Sequence, residues 1–234
     1  MTPALWSAIA TALRAEIADG ARAPGDRLPT EAELATRFGV NRHTLRRAIA
    51  SLVDEGLVRT RRGAGTYVAA APPAYPMGRR VRFRQSMEAA GRVPGKSILS
   101  VETRPSDTAE ATALRLEPGA LIHITEGLAM ADGEPVAHFR SRYPAERLPG
   151  IADALRDLGS VTAALAACGV SDYTRLTTRL TAEAAAAHHA ALLHLPPGAA
   201  LLRSEAINVD PDGIPVEYGV TRFAGTRIVL TLDH

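Results

Sequence analysis

Residues 24–49 read PGDRLPTEAELATRFGVNRHTLRRAI, and this stretch decides the fold of the N-terminal part of the chain. Thr30 precedes Glu33 by three residues, which is the spacing of a capping box at a helix start. The pattern predicts a short helix over residues 31–38. Gly39 then supplies the turn that ends this helix.

Two further helices are predicted around this one. Asn41 is a suitable N-cap for a third helix that runs to about Glu55, with four apolar side chains facing inward: Leu45, Ile49, Leu52 and Val53. An earlier helix is predicted because apolar residues recur every fourth position at Leu5, Ile9, Leu13 and Ile17. After these helices, residues 57–60 and 65–68 are strand-like, and residues 61–64 (RRGA) join them as a basic tip.

The third helix carries the chemistry of DNA recognition. Its first turns, residues 41–47 (NRHTLRR), hold arginine and asparagine, which grip guanine and adenine in the major groove. Two short helices joined by a turn present such residues to that groove. The basic tip suits a wing whose arginine lies along the minor groove. The alternative is a solvated helix face with ordinary surface arginines.

These residues resemble the winged helix-turn-helix of the GntR family of transcriptional regulators over nearly all of residues 5–69. The resemblance implies that Arg42, Thr44, Arg46 and Gly63 contact DNA. With the other polar and basic side chains of the same elements, the predicted DNA-binding set is Thr30, Asn41, Arg42, His43, Thr44, Arg46, Arg47, Arg62 and Gly63.

The distribution of charge along the chain is consistent with nucleic-acid binding at its N-terminal end. Residues 1–72 hold ten arginines and seven acidic residues, a net +3, whereas residues 73–234 hold 17 basic and 18 acidic residues, a net −1. The chain shows no signal peptide and no run long enough to span a membrane. One cysteine, Cys168, excludes an internal disulfide and a multi-cysteine metal site. We expect a cytoplasmic protein with no cofactor and no metal.

The predicted domains are 1–69 (winged helix-turn-helix), 70–77 (a Pro-rich linker) and 78–234 (an effector-binding and dimerisation domain). The last region predicts strands joined by tight turns at Asp132-Gly133 and Asp212-Gly213. The strand-like segments are 120–130, 135–143, 170–182, 199–209, 214–223 and 227–232. The helical segments are 84–90, 106–114, 160–167 and 182–193. Adjacent hairpins with few crossover helices indicate an antiparallel sheet, and therefore an α+β fold.

The second region also resembles a known domain, the UTRA effector domain of the HutC branch of the GntR family, over about residues 75–234. The segments that carry the likeness are Phe83 with 91–94, 131–136, 149–150, 195–198 and 213–218. This resemblance implies a chorismate-lyase-like antiparallel sheet with flanking helices. Residues 75–83, 172–175 and 216–225 are more finely similar to regulators of phosphonate uptake and C–P lyase operons.

The effector pocket is predicted from the same resemblance. Sugar-phosphate-sensing relatives grip phosphate with two arginines at positions that are Gly127 and Ala129 here. An anionic effector still needs cations or amide donors, and Glu217 would suit an amine or hydroxyl. The predicted effector-binding set is Phe83, Arg84, Arg140, Arg142, Tyr173, Arg175, Glu217, Tyr218 and Arg222. Arg179 is a further candidate on the same strand face as Arg175.

The sequence therefore predicts a homodimeric transcriptional repressor rather than an enzyme. It would bind a double-stranded, inverted-repeat DNA operator and release it on binding a small anionic effector, for which we expect a phosphonate or phosphate compound. One alternative is a regulator that responds to another metabolite, a sugar phosphate or a histidine-pathway acid. A second alternative is a chorismate-lyase-like enzyme with a regulatory DNA-binding head. A third is an activator rather than a repressor, which depends on where the operator lies relative to the promoter.

Overall fold

A computed structural model describes residues 4–61, 63–69, 72–80 and 82–232. The chain divides into two compact units, Met1–Ala71 and Pro72–His234, which we refer to as the N-terminal and C-terminal units. Within the described ranges, no helix has the length and apolar character needed to cross a membrane.

The N-terminal unit contains three helices, α1 (Leu5–Ala18), α2 (Glu31–Phe38) and α3 (Arg42–Asp54). The predicted capping box is present: the Glu33 amide donates to the Thr30 hydroxyl and the Thr30 amide donates to the Glu33 carboxylate. Gly39 ends α2 in the left-handed conformation, at φ 63°. The Asn41 side chain caps α3 by accepting from the Thr44 amide at 2.8 Å.

A hairpin of β1 (Val58–Arg61) and β2 (Gly65–Val68) completes this unit. Its core is the apolar side of the helices, with Leu13, Leu45 and Leu52 fully buried. The inward prediction was wrong for Val53, which is 38% exposed. Val53 follows Leu52 by one position, and about 100° of helix rotation turns it away from the buried stripe.

The C-terminal unit is built on a six-stranded sheet in the order β4-β5-β6-β9-β8-β7, and every neighbouring pair is antiparallel. Its strands are β4 (Pro94–Pro105), β5 (Leu121–Ala131), β6 (Glu134–Pro144), β7 (Thr174–Ala184), β8 (Ala200–Val209) and β9 (Pro215–Ala224). The helices are α4 (Phe83–Ala89), α5 (Thr108–Leu114), α6 (Ile151–Leu158), α7 (Val161–Ala167) and α8 (Ala187–Leu192). The α+β prediction is confirmed.

The two predicted tight turns join neighbouring strands. Asp132 and Gly133 both have positive φ, at 52° and 76°, between β5 and β6. The turn between β8 and β9 is held by Asp210, whose carboxylate accepts from the amides of Asp212 and Ile214. These turns fix which face each side chain takes in the paired strands.

The structure differs from the linker prediction at its C-terminal end. Residues 74–76 form a short strand, β3 (Ala74–Pro76), which pairs in parallel with β10 (Val229–Thr231). Tyr75 is buried there against Phe83 and Phe223. These residues therefore belong to the C-terminal unit.

The helix predicted over 182–193 was too long. Ala182 to Ala184 pair with β8 as the end of β7, and only α8 is helical. Alanine favours a helix, but cross-strand pairing overrides this weak preference. Strand β4 and helix α6 were absent from the prediction.

Candidate DNA-binding surface and effector cavity

Arg42 and His43 occupy the first turn of α3 and are both exposed. Neither has a hydrogen-bond or ion-pair partner within the described parts of the chain. Their position at the start of the second helix of the helix-turn-helix is the one from which base edges are read. These two side chains are the most available of the predicted DNA-binding set.

Other members of this set have contacts inside the protein. Thr30 and Asn41 use their side-chain oxygens as helix caps, and Thr44 is half-buried beside Asn41. Arg46 donates to Glu31 at 2.8 Å, although its side chain is 61% exposed. The Arg47 guanidinium lies 4.7 Å from the centre of the Trp6 ring, on the side of α3 that packs against α1.

The tip of the hairpin supplies the predicted wing. Gly63 has φ 76°, a left-handed conformation that favours glycine. Arg62 lies outside the described residues. Arg27 was not among the predicted residues. Its guanidinium packs against Gly65 of the hairpin, and its Nε would lie 2.9 Å from a Cβ built on that glycine. Arg27 thus adds a cation beside Thr30 and Gly63.

The C-terminal unit contains a partly open cavity of about 530 Å³, which we refer to as the sheet cavity. It lies on one face of the six-stranded sheet, covered by residues of α4 and of the α6–α7 region. This volume is that of a typical small-molecule site. Five predicted effector residues line it: Phe83, Arg84, Tyr173, Arg175 and Glu217.

Glu217 is a buried carboxylate on the cavity side of β9. Its Oε1 accepts from the Ser141 hydroxyl at 2.6 Å and the Tyr143 hydroxyl at 3.2 Å. Its Oε2 accepts from the Asn208 amide at 2.6 Å. Since the side chain of Asn208 also accepts weakly from Arg175 Nε at 3.5 Å, one polar network joins Glu217 to the cation on β7.

The remaining four predicted effector residues lie on the opposite face of the sheet. Ser141, Glu217 and Thr221 face the cavity, so strand alternation turns their neighbours away from it. Each of these neighbours has an acidic partner: Arg140 with Glu102, Arg142 with Glu110, Tyr218 with Glu205 and Arg222 with Glu183. We therefore correct the predicted pocket by removing Arg140, Arg142, Tyr218 and Arg222. Arg179 is exposed on β7 and lines no part of the cavity.

Aromatic side chains form one wall of the sheet cavity. The Arg82 guanidinium lies 3.7 Å from the Tyr173 ring centre and donates to the Tyr173 carbonyl at 2.8 Å. The Tyr173 hydroxyl is 3.0 Å from that of Thr162. Burial raises the pKa of Tyr75 to about 12, so its hydroxyl stays protonated and can donate a hydrogen bond at neutral pH.

Lys96, on β4, was not predicted from the sequence, but its side chain adds a cation to the lining of the sheet cavity. Its Nζ lies 4.5 Å from the centre of the Phe139 ring. Burial lowers the pKa of Lys96 to about 8, an effect that the charge of Glu217 partly opposes. The signal was present in the composition: Lys96 is the only lysine in the chain, beside 26 arginines.

The protein therefore combines a winged helix-turn-helix with a second unit that contains a ligand-sized cavity, as ligand-responsive transcriptional regulators do. Residues 5–68 match the family described as bacterial regulatory proteins, gntR family, and residues 89–229 match the UTRA domain. The chain belongs to the GntR family and, through its UTRA domain, to the HutC branch. Its function is regulatory, with DNA and a small-molecule effector as binding partners, and not enzymatic.

Individual relatives match along their full length. An uncharacterized HTH-type transcriptional regulator of Rhizobium meliloti, RB1450, is 40% identical over 100% of this chain and 96% of its own. The probable transcriptional regulator PhnF of Escherichia coli is 31% identical over 99% of this chain and 96% of its own. The crystal structure of PhnF from Mycobacterium smegmatis covers 97% of this chain and 98% of its own, with 26% identity and a TM-score of 0.66.

Proposed function

We propose that this protein is a homodimeric repressor of genes for phosphonate uptake or degradation, acting in the cytoplasm. It binds an inverted-repeat operator and releases it when a small anionic effector enters the sheet cavity. The observation that carries this proposal is the sheet cavity itself, because it holds cations on two strands and a hydrogen-bonded carboxylate between them. The likeness to PhnF proteins and to phosphonate regulators supports the choice of effector class.

The cavity chemistry supports an effector with two different ends. Arg175 provides a cation whose terminal nitrogens have no partner among the described residues, so they are available to an oxyanion. Glu217 suits a hydroxyl or amine at the other end of the ligand. Gly127 and Ala129 supply no cation, which disfavours recognition of a sugar phosphate through β5.

Release from DNA requires that the effector bind two conformations of the protein with different affinities. Tyr75 places the cavity close in sequence to the DNA-binding unit, since β3 begins only three residues after Ala71. A ligand that contacts Tyr75 can therefore act on the chain segment that leads into the N-terminal unit. We propose this segment as the route of coupling.

Fluorescence anisotropy of labelled DNA from the region upstream of the gene tests the proposal. The titrants are 2-aminoethylphosphonate, methylphosphonate, inorganic phosphate, a sugar phosphate and a histidine-pathway acid. We expect tight binding that a phosphonate reverses. Tight binding that only the sugar phosphate or the histidine-pathway acid reverses would show that the effector belongs to that class and is not a phosphonate. Tight binding that none of these compounds reverses would reject the anionic effector but keep the DNA-binding regulator.

Replacing Arg42 with alanine should weaken operator binding by about 1–3 kcal/mol and relax specificity at one base pair, because we expect this exposed side chain to contact a base edge. The same anisotropy assay measures the change. Arg14→Ala is the matched control, because it removes an equal charge from α1, where Arg14 pairs with Glu55. Equal losses for the two variants would reduce the role of Arg42 to general electrostatics.

A further inference from the structure

Lys96 stands apart from the other cations that line the sheet cavity: Arg82 and Arg84 have acidic partners, and Arg175 has a weak hydrogen bond to Asn208. No ion pair or hydrogen bond joins its ammonium to the described part of the chain, and its recorded contact is the Phe139 ring. Lys96 is half-buried, as are Arg142, which pairs with Glu110, and Arg227, which pairs with Glu134. A buried charge without a partner is unfavourable unless a ligand or solvent completes it.

The strands around Lys96 are shaped to bring its side chain into the sheet cavity. Lys96 on β4 pairs in register with Ala129 on β5, and Phe139 on β6 pairs in register with Gly127 on β5. A Cβ on Gly127 would stand 2.7 Å from the Phe139 ring and 2.3 Å from the Ser97 carbonyl oxygen. Small residues on β5 therefore allow the ring to lie across that strand and reach the ammonium.

The nearest acidic group does not neutralise this ammonium. Glu217 interacts with Lys96 electrostatically, but forms no ion pair with it within 4 Å and already accepts from three neutral donors. The Lys96 ammonium, on the β4 side of the cavity, thus has no ion-pair partner among the described residues, whereas the Glu217 carboxylate on β9 is already hydrogen-bonded. A ligand with a compact oxyanion would supply the missing partner.

We propose that Lys96 binds the anionic group of the effector, a phosphonate, phosphate or carboxylate, alongside Arg175, and takes the role that the sequence gave to the arginines on β6 and β9. This inference rests on the proposed function, since it assigns the recognition of that effector's charge. Lysine suits this role as a compact point charge, but only while its ammonium is protonated. Anion binding should therefore weaken as the pH rises through about 8, where the free ammonium is lost.

The presence of a single lysine allows a direct test on the full-length protein. Lysine labelled with ¹³C at Cε gives one protein signal, and its chemical shift against pH reports the pKa of Lys96. We expect a midpoint near 8 in the free protein and a rise of at least one unit with saturating 2-aminoethylphosphonate or inorganic phosphate. Methylphosphonate and acetate separate the phosphonate and carboxylate sources of the anion. A midpoint that none of these anions moves would overturn the inference.

Variants then separate this inference from the proposed function. Lys96→Met should weaken phosphonate or phosphate binding by at least tenfold in calorimetry while leaving operator binding intact, and Lys96→Arg should retain part of the affinity. Arg179→Met, which removes a charge from the exposed face of β7, should bind like the wild type. If anions release wild-type protein and Lys96→Met from DNA equally, the role of Lys96 is rejected but the repressor stands. If anions shift the Lys96 signal without affecting DNA binding, Lys96 binds the anion but the proposed effector response fails.

Discussion

Replacing Glu110 with alanine is expected to lower the free energy of unfolding of the C-terminal unit by about 3–5 kcal/mol, because it leaves the largely buried Arg142 without its carboxylate and removes a partner of Arg104. Glu110 Oε1 accepts from Arg142 at 2.9 Å, and both oxygens accept from Arg104 at 2.8 Å. The carboxylate side chain is only 4% exposed and that of Arg142 only 12%. Urea denaturation of the full chain at pH 7 measures the effect.

Glu102→Ala is the matched control on the same face of the sheet. Glu102 pairs with Arg140 at 3.0 Å, but these side chains are 49% and 38% exposed. An ion pair in water contributes little, so this variant should lose no more than about 1 kcal/mol. If both variants lost the same stability, the buried position of Glu110 would have no special effect.

The same carboxylate predicts how stability depends on pH. Burial by itself would raise the pKa of Glu110, but hydrogen bonds from Arg104, Arg142 and the Asp107 amide outweigh burial and hold the pKa at about 2. The pKa in the unfolded chain is about 4.3, so folding favours the charged form. This stabilisation of about 3 kcal/mol is complete above that value and is lost as the pH falls toward 2. Glu110→Gln should therefore approach the wild type in stability at the acid end of a pH series.

The helices of the N-terminal unit could be predicted closely because capping residues next to each end determine where α2 and α3 begin and where α2 ends. The capping box of Thr30 and Glu33, the cap at Asn41 and the left-handed Gly39 each act within four residues. The paired strands around Asp132-Gly133 were equally local. Strand β4 was not, because it lies at the sheet edge and none of its residues is fully buried, so no apolar stripe marks it in the sequence.

The predicted pocket failed in part for a non-local reason. Alternation along β6 showed that Arg140 and Arg142 share a face, but not which face covers the cavity. The face that these arginines take depends on Glu102 of β4 and Glu110 of α5, which pair with them on the side of the sheet opposite the cavity. Phe139, one position before Arg140 and therefore on the other face of the strand, was the available sign that the cavity side of β6 is not the basic side.

Leu45→Ala is expected to unfold the N-terminal unit near 37 °C while the C-terminal unit remains folded. Leu45 is fully buried in the core of α3 and its neighbours, and such a truncation lowers stability by about 2–5 kcal/mol. A core of this size supplies on the order of 3–5 kcal/mol in total, so little would remain. Operator binding should be lost, whereas the Lys96 signal should still respond to an anion.

Val53→Ala is the control on the same helix. Its side chain is 38% exposed, so the loss should stay within about 0.5 kcal/mol. Thermal unfolding of the full chain should show two transitions, an earlier one for the N-terminal unit and a later one for the C-terminal unit. Leu45→Ala should lower the temperature of the earlier transition and Val53→Ala should not, and both variants should leave the later transition unchanged. If Leu45→Ala moved both transitions together, the two units would unfold as one cooperative block. Effector binding would then act on the DNA-binding unit through shared stability, and the short segment at β3 would no longer be needed as the route of coupling.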